Sequence, residues 1–395
     1  MENPAVTVFR NYLRIKSVQP DVDYCETTAF LTDLAKDIGL ECKVVEVQPD
    51  KPFVVMTWRG TDPSLKALML HSHVDVVPVF PEHWKVDPFS AEKTENGDII
   101  ARGSQDMKCV SIQYLEAIRR LKAEGKQCLR DIHLTFSSDE EIGSKPMSAF
   151  VKHEEFKKLN VGYALDEGLA NPGSEFRVFY GERSMWWVQV TCKGAPGHGS
   201  GFIQNTAAAK VRKVMNSFLQ FRDDEENRLK SNPNLSPGDV TTVNMTILKG
   251  GIQFNVVPTE FGLSFDIRIP PAVDVVKFEN QIKTWCDEAG EDVTYKFVVK
   301  DTSSATVPIT KDDPWWNAFS STLETLGVEY KTEIFPAGTD SRFTRECGIP
   351  ALGFSPMNHT PILLHDHNEY LNEKVFLRGI DIYYEIIPAL ANVVA

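Results

Sequence analysis

His73 and Asp75 sit in the run Leu68-Met69-Leu70-His71-Ser72-His73-Val74-Asp75-Val76-Val77-Pro78, where an apolar stretch from Ala67 to Leu70 ends in a His-x-Asp triplet. Residues two apart in extended backbone point to the same side, so the imidazole and the carboxylate share one side of a strand end. A carboxylate beside a metal-binding imidazole fixes its tautomer and raises its basicity. Further polar segments follow downstream: Asp106 in Arg102-Gly103-Ser104-Gln105-Asp106-Met107-Lys108, Glu140 and Glu141 after Ile132–Ser137, Asp166-Glu167-Gly168 after Gly162–Leu165, and His365 with His367 in Leu364-His365-Asp366-His367-Asn368-Glu369. Each alone has a plain structural account: a helix N-cap for Asp106, solvated turns for the acidic pairs, a polar loop for the histidines.

Together, His73, Asp106, Glu141, Glu167 and His365 supply two imidazoles and three carboxylates. Such a nitrogen and oxygen set suits a pair of Zn²⁺ or similar ions. Paired ions lie about 3.5–4 Å apart and lower the pKa of a bound water from about 15.7 towards about 7. A neighbouring carboxylate that is not a ligand can take the water's proton and pass it to a leaving amine. Glu140 and Glu141 can divide these tasks, because successive side chains diverge. Spacing does not choose between Asp166 and Glu167, and His367 competes with His365.

Other chemistries lack their motifs. Gly197-His198-Gly199-Ser200-Gly201 has the wrong spacing for a nucleophile elbow. There is no P-loop and no G-x-G-x-x-G after a strand, which argues against nucleotide binding. Cys109, in the first turn of a helix, reads as a free thiol. The net charge of −13 disfavours nucleic acid and anionic membranes. No run approaches the roughly 20 apolar residues of a membrane span. Met1-Glu2-Asn3-Pro4 opens on an acid, so no secretory leader is expected. Seven cysteines with no C-x-x-C pair predict free thiols in a reducing cytoplasm.

The elements that must hold these residues alternate in the first half. Val110, Tyr114, Ala117, Ile118 and Leu121 repeat at helical spacing, strands are expected at 132–137 and 162–165, and a helical stretch near 147–159. Such alternation predicts an open, largely parallel sheet with helices on both faces and its ligands at the strands' carboxyl ends. Near residue 182 the pattern changes to strand, helix, strand, strand, helix, strand, with the long helix marked by Val211, Val214, Met215, Phe218 and Leu219. That order predicts a smaller α+β, ferredoxin-like domain inserted into an α/β domain. The expected division is 1–182 and 303–395 for the larger domain and 183–302 for the insert.

As a set, the segments His71–Phe80, Arg102–Cys109, Asp139–Gly143, Leu165–Gly168, Gly353–Asn358 and Leu364–Glu369 resemble one metallopeptidase family. It includes glutamate carboxypeptidase, succinyl-diaminopimelate desuccinylase, carnosinase-type dipeptidases and aminoacylases; the likeness is closest to the last and covers nearly the whole chain. The resemblance implies a zinc-peptidase-like domain with a lid and dimerisation insert. It implies His73 and Glu167 on one zinc, Glu141 and His365 on the other, and Asp106 bridging. Asp75 would orient His73, and Glu140 would be the general base. His198 of the Pro-Gly-His turn would reach the partner subunit's site, and Asn255, Arg268 and Arg342 would lie near the substrate carboxylate. The implied activity is hydrolysis of N-acyl-L-amino acids, such as N-acetyl-Met, by a cytoplasmic homodimer holding two Zn²⁺ per subunit. A dipeptidase on the same scaffold and a non-catalytic amino-acid-binding homologue are the alternatives. Two departures from the family stand out: His365-Asp366-His367-Asn368-Glu369 where many relatives have His-x-Pro-Asn-Glu, and Gly199-Ser200-Gly201, which is expected to loosen the His198 loop.

Overall fold

The computed structural model describes residues 2–303 and 305–394. Its chain falls into two compact units: Met1–Tyr180 with Val307–Thr332 and Thr339–Ala395, and Gly181–Thr306 with Glu333–Gly338. The return of Glu333–Gly338 to the second unit is not announced by any pattern in the sequence.

The first unit is built on an eight-stranded sheet. Its spatial order is Glu41–Gln48, Lys51–Trp58, Ile132–Ser137, Ala67–His73, Val161–Asp166, Ala351–Phe354, Phe176–Glu182 and Tyr330–Phe335. The centre is parallel: Ala67–His73 lies between Ile132–Ser137 and Val161–Asp166, and Ala351–Phe354 continues beside the latter. Antiparallel pairs flank it, including the hairpin of Glu41–Gln48 with Lys51–Trp58. Every residue of Ala67–His73 and Ile132–Ser137 is buried, as a strand covered on both faces requires.

Alternate side chains feed two cores. Leu68, Leu70, Leu134 and Phe136 join the larger one with the helices Pro4–Arg14, Lys108–Ala123 and Glu373–Ala391, whereas Met69, Phe53 and Val55 pack with Met147, Phe150 and Phe156. The expected helix over 147–159 is two short ones, Lys145–Phe150 and Glu154–Lys158. His153 separates them, its side chain accepting from the Glu155 N–H and starting the second.

The second unit carries a four-stranded antiparallel sheet in the order Thr242–Gly250, Glu260–Ile269, Ser184–Lys193, Val293–Lys300. Helices Ala207–Ser231 and Val275–Ala289 supply Val211, Val214, Phe218, Phe278 and Ile282 to a core with Trp186, Val188 and Val190. Thr206 and Asp274 cap them, accepting from Ala209 N and from Val276 N and Lys277 N. Among the described residues no helix is long and apolar enough to cross a membrane.

Candidate metal centre

His73 is the last residue of a central parallel strand and pairs in register with Ser137, the last of its neighbour. The turns leaving these strands and Val161–Asp166 therefore emerge together at the sheet's carboxyl end. His73 Nδ1 donates to the Asp75 carbonyl at 2.9 Å. That bond assigns the proton to Nδ1 and turns Nε2 towards Asp106 Oδ1 at 3.0 Å and Glu167 Oε2 at 3.9 Å. The other Asp106 oxygen lies 3.2 Å from His365 Nε2, which is 3.1 Å from Glu141 Oε2. Two donor triads result, His73/Asp106/Glu167 and Asp106/Glu141/His365, each with its ligand atoms within 4.8 Å of one another and with Asp106 common to both. Asp106 does not cap the following helix, which starts at Lys108 with no side-chain cap.

The electrostatics show a cluster short of positive charge. Burial, then the Glu167 charge, pushes Glu140 well above the carboxylate range. Burial and Asp106 raise Glu167 likewise and bring Glu141 to about 7. Against the effect of burial, contacts with Asp106, Asp75 and Glu167 hold His73 well above its usual value. Asp106 and Glu141 raise His365 to about 10. Protons thus compensate a donor set that divalent cations would satisfy. Glu141 Oε1 is also buried without a hydrogen-bond partner among the described residues, an unfilled acceptor of the kind a metal ligand leaves. The residues fit a pair of metal ions.

Glu140 and Glu141 sit in a short 3-10 turn, Glu140–Ile142. Their N–H groups donate to Asp75 Oδ1 and Oδ2 at 3.1 and 3.2 Å. The Asp75 carboxylate is 3.6 Å from His73 Nδ1, beyond a hydrogen bond, so its carbonyl orients the imidazole while its carboxylate grips the turn. Asp166 is turned away from the cluster and accepts from Ser341 Oγ at 2.8 Å. His367 packs near His83 and edge-on to Phe80, with ring centroids 4.9 and 6.1 Å away. Arg342 donates to Ser144 Oγ at 3.2 Å.

In the second unit, His198 pairs with Val256 in a two-residue ladder and its Nδ1 lies 2.8 Å from Ser200 Oγ. Asn255 is its neighbour: Gly199 N donates to the Asn255 carbonyl at 2.8 Å. A Cβ on Gly199 would meet the Asn255 backbone at 3.3 Å. The glycine therefore fastens the His198 loop by allowing close approach, contrary to the loosening expected of it. Arg268 pairs with Asp266 on its own strand at 2.7 Å.

Some residues around the centre were not singled out by sequence. Buried Glu369 accepts from Arg102 Nη1 at 2.7 Å, Gly103 N at 3.1 Å and Gln105 N at 2.6 Å. The Gln105 amide answers by donating to the Pro361 and Tyr370 carbonyls and accepting from Leu363 N. These bonds lock the Asp106 loop to the His365 loop. His71 Nε2 lies 2.9 Å from Asp340 Oδ2 in the interior. Glu369 lies in a segment with a visible motif; Asp340 has no local signal.

A family model described as peptidase family M20/M25/M40 matches residues 69–389. Aminoacylase-1 of Mus musculus is 56% identical over 393 residues, covering 99% of this chain and 96% of that protein. Among solved structures, an M20 family metallo-carboxypeptidase from Sulfolobus solfataricus superposes with a TM-score of 0.75 at 17% identity, covering 99% of this chain and 100% of that one. A dinuclear metal binding peptidase of the M20 family from Bacillus subtilis gives 0.70 at 14% identity, covering 99% and 98%. The two structures speak for the fold, and the family model and the full-length identity for descent: the chain belongs to peptidase family M20/M25/M40.

Proposed function

We propose that this chain hydrolyses N-acyl-L-amino acids, N-acetylated neutral and aliphatic ones such as N-acetyl-Met among them, to a carboxylate and a free L-amino acid, using two Zn²⁺ per subunit. The observation that carries this reading is the pair of donor triads sharing Asp106, with the non-ligating Glu140 beside them. The identity to aminoacylase-1 supports the substrate class. Held by His73 and Glu167 on one side, Glu141 and His365 on the other and Asp106 between, divalent ions would polarise the amide carbonyl and acidify an attacking water.

The chain's own residues do the rest. Glu140 takes a proton from the attacking water and hands it to the leaving nitrogen. Burial, then the Glu167 charge, raises the proton affinity of Glu140 above that of a free carboxylate, which favours taking a proton from water. Asp75 holds the backbone of that turn. Asn255, Arg268 and Arg342 are the candidates for the substrate carboxylate; Arg268 is also paired with Asp266 on its own strand.

His198 is assigned to the carbonyl oxygen in the partner subunit of a homodimer. Three features support a second copy as its neighbour. The strand Thr242–Gly250 is a sheet edge carrying exposed Ile247 and Leu248, an open edge of the kind proteins cover. Ile252 and Phe254 in the adjoining loop are 98% and 111% exposed, and Phe202 near His198 is 101% exposed. An apolar patch of that sort marks an interface. The seven unpaired cysteines support a reducing compartment, the cytoplasm.

Acetate release from N-acetyl-Met, measured beside cleavage of a dipeptide such as Ala-Met, tests the reading. Dipeptide cleavage with N-acetyl-Met left intact would overturn it. A chelator should abolish activity and Zn²⁺ should restore it, and elemental analysis of active protein should find two ions per chain; no more than a trace of metal would contradict the site. Loading the stripped protein with Zn²⁺ near pH 7 should also release protons, because Glu140 apart, the ligands His73, Glu141, Glu167 and His365 have raised proton affinities. Calorimetry in buffers of different ionisation enthalpy reads that release, and heats independent of buffer would refute it.

A further inference from the structure

We propose that Lys51, Tyr24 and Gln19 are positioning residues for the Asp139–Glu141 turn, so that the placement of Glu140 is set by a hydrogen-bond network that opens on the protein surface. The inference rests on the reading of Glu140 as base and Glu141 as ligand. Its starting point is Asp139, which stands at φ +58°, in the left-handed region that residues with a Cβ seldom occupy. A turn begun in that way needs external bonds to keep its shape.

Asp139 has them. Tyr24 Oη donates to its Oδ1 at 2.6 Å and Gln19 Nε2 lies 3.0 Å from the same oxygen. Lys51 Nζ is 2.8 Å from Oδ2, and Asp139 N donates back to Tyr24 Oη at 3.1 Å. The Gln19 amide nitrogen is also 2.7 Å from Asp75 Oδ2. It thus stands between Asp139, which begins the turn, and Asp75, which accepts from the N–H groups of Glu140 and Glu141. Gln19 is itself held in place, with its N–H on the Val76 carbonyl at 2.9 Å and Val76 N on the Ser17 carbonyl at 2.9 Å. Among the described residues no hydrogen bond joins Gln19, Tyr24 or Lys51 to the carboxyl of Glu140 or Glu141. They act on the turn and not on the reacting atoms.

The outer end of this network is partly exposed to solvent. Lys51 opens the strand Lys51–Trp58 at the tip of its hairpin, and its side chain is 25% exposed. It borders an open cavity of about 860 Å³ that Tyr24, Cys25 and Asp50 also line. Lys51 is therefore a residue that can be changed with little risk to the core.

Lys51→Met and Tyr24→Phe should each lower kcat for N-acetyl-Met by about 10–100-fold with KM nearly unchanged, the usual effect of losing a partner that orients a metal-site group. Lys51→Arg should restore most of the loss. The double variant should lose less than the product of the single losses, because both act through Asp139. Lys43→Met, which removes another lysine of the same hairpin whose ion pair is with Glu155, should match wild type. Glu141 shares the turn, so Lys51→Met should also surrender metal to a chelator faster than wild type, a readout that needs no turnover. Lys51→Met with wild-type kcat and wild-type metal loss overturns the proposal. So does a defect that Lys51→Arg fails to restore, or one that appears only as a lower melting temperature. If wild type itself does not cleave N-acyl-amino acids, the function reading fails, and the chelator rates still decide whether Lys51 holds the turn.

Discussion

Glu140→Gln should keep both metals and its affinity for N-acetyl-Met while turnover falls by about 10²–10⁴, the usual worth of general acid–base catalysis. The substitution preserves shape and the backbone bond to Asp75 and removes only the ability to carry a proton. Neighbouring Glu141→Gln should behave differently. Glu141 contributes Oε2 to the triad with Asp106 and His365 and has a buried, unpartnered Oε1, so its loss should appear first as missing metal. Kinetics together with metal content per chain separate the two variants. Exchanged phenotypes would mean exchanged roles, with Glu140 the ligand.

His198→Ala should be nearly inactive at full metal content, because removing one oxyanion donor costs about 10²–10³ in turnover. The more decisive measurement combines it with Glu140→Gln. If His198 serves the partner's site, a mixed dimer of the two variants has one site with both defects and one with neither. Co-expression with two different tags and purification through both should then recover a substantial fraction of wild-type activity from two inactive parents. The His198 turn is exposed, tied to Asn255 and flanked by the exposed Phe202, Ile252 and Phe254, which is why the mixed dimer is the test. Mixed dimers as inactive as either parent would confine His198 to its own chain or remove it from catalysis.

Much of the architecture was legible in the sequence because it depends on local pattern. The apolar runs before His73, Asp139 and Asp166 are strands with buried side chains throughout or nearly so, and a strand's last residues must emerge at its carboxyl end. The strand–helix–strand–strand–helix–strand order of the insert follows from periodicity of the same kind, and the donor types for a metal pair could be counted along the chain. Where periodicity is only locally valid the expectation slipped, as at His153, whose own side chain interrupts a helix that the apolar spacing would continue.

Which of two neighbouring groups faces the centre was a different matter, since adjacent residues share every local pattern. Tertiary contacts place Glu167 in the cluster and leave Asp166 to Ser341, and they bring His365 to Asp106 while His367 packs by His83. The Asp106 carboxylate could have capped a helix; it lies between two imidazoles from positions 73 and 365 instead. Asp75 carries its bond to His73 through a carbonyl, which no side-chain motif encodes, and gives its carboxylate to a turn 65 residues away. Gln19 meets Asp139 across 120 residues, and His71 meets Asp340 across 269. Contacts of that range leave no period to read in the chain, because they exist only once the sheet has set its strands side by side and burial has obliged each polar group to find a partner.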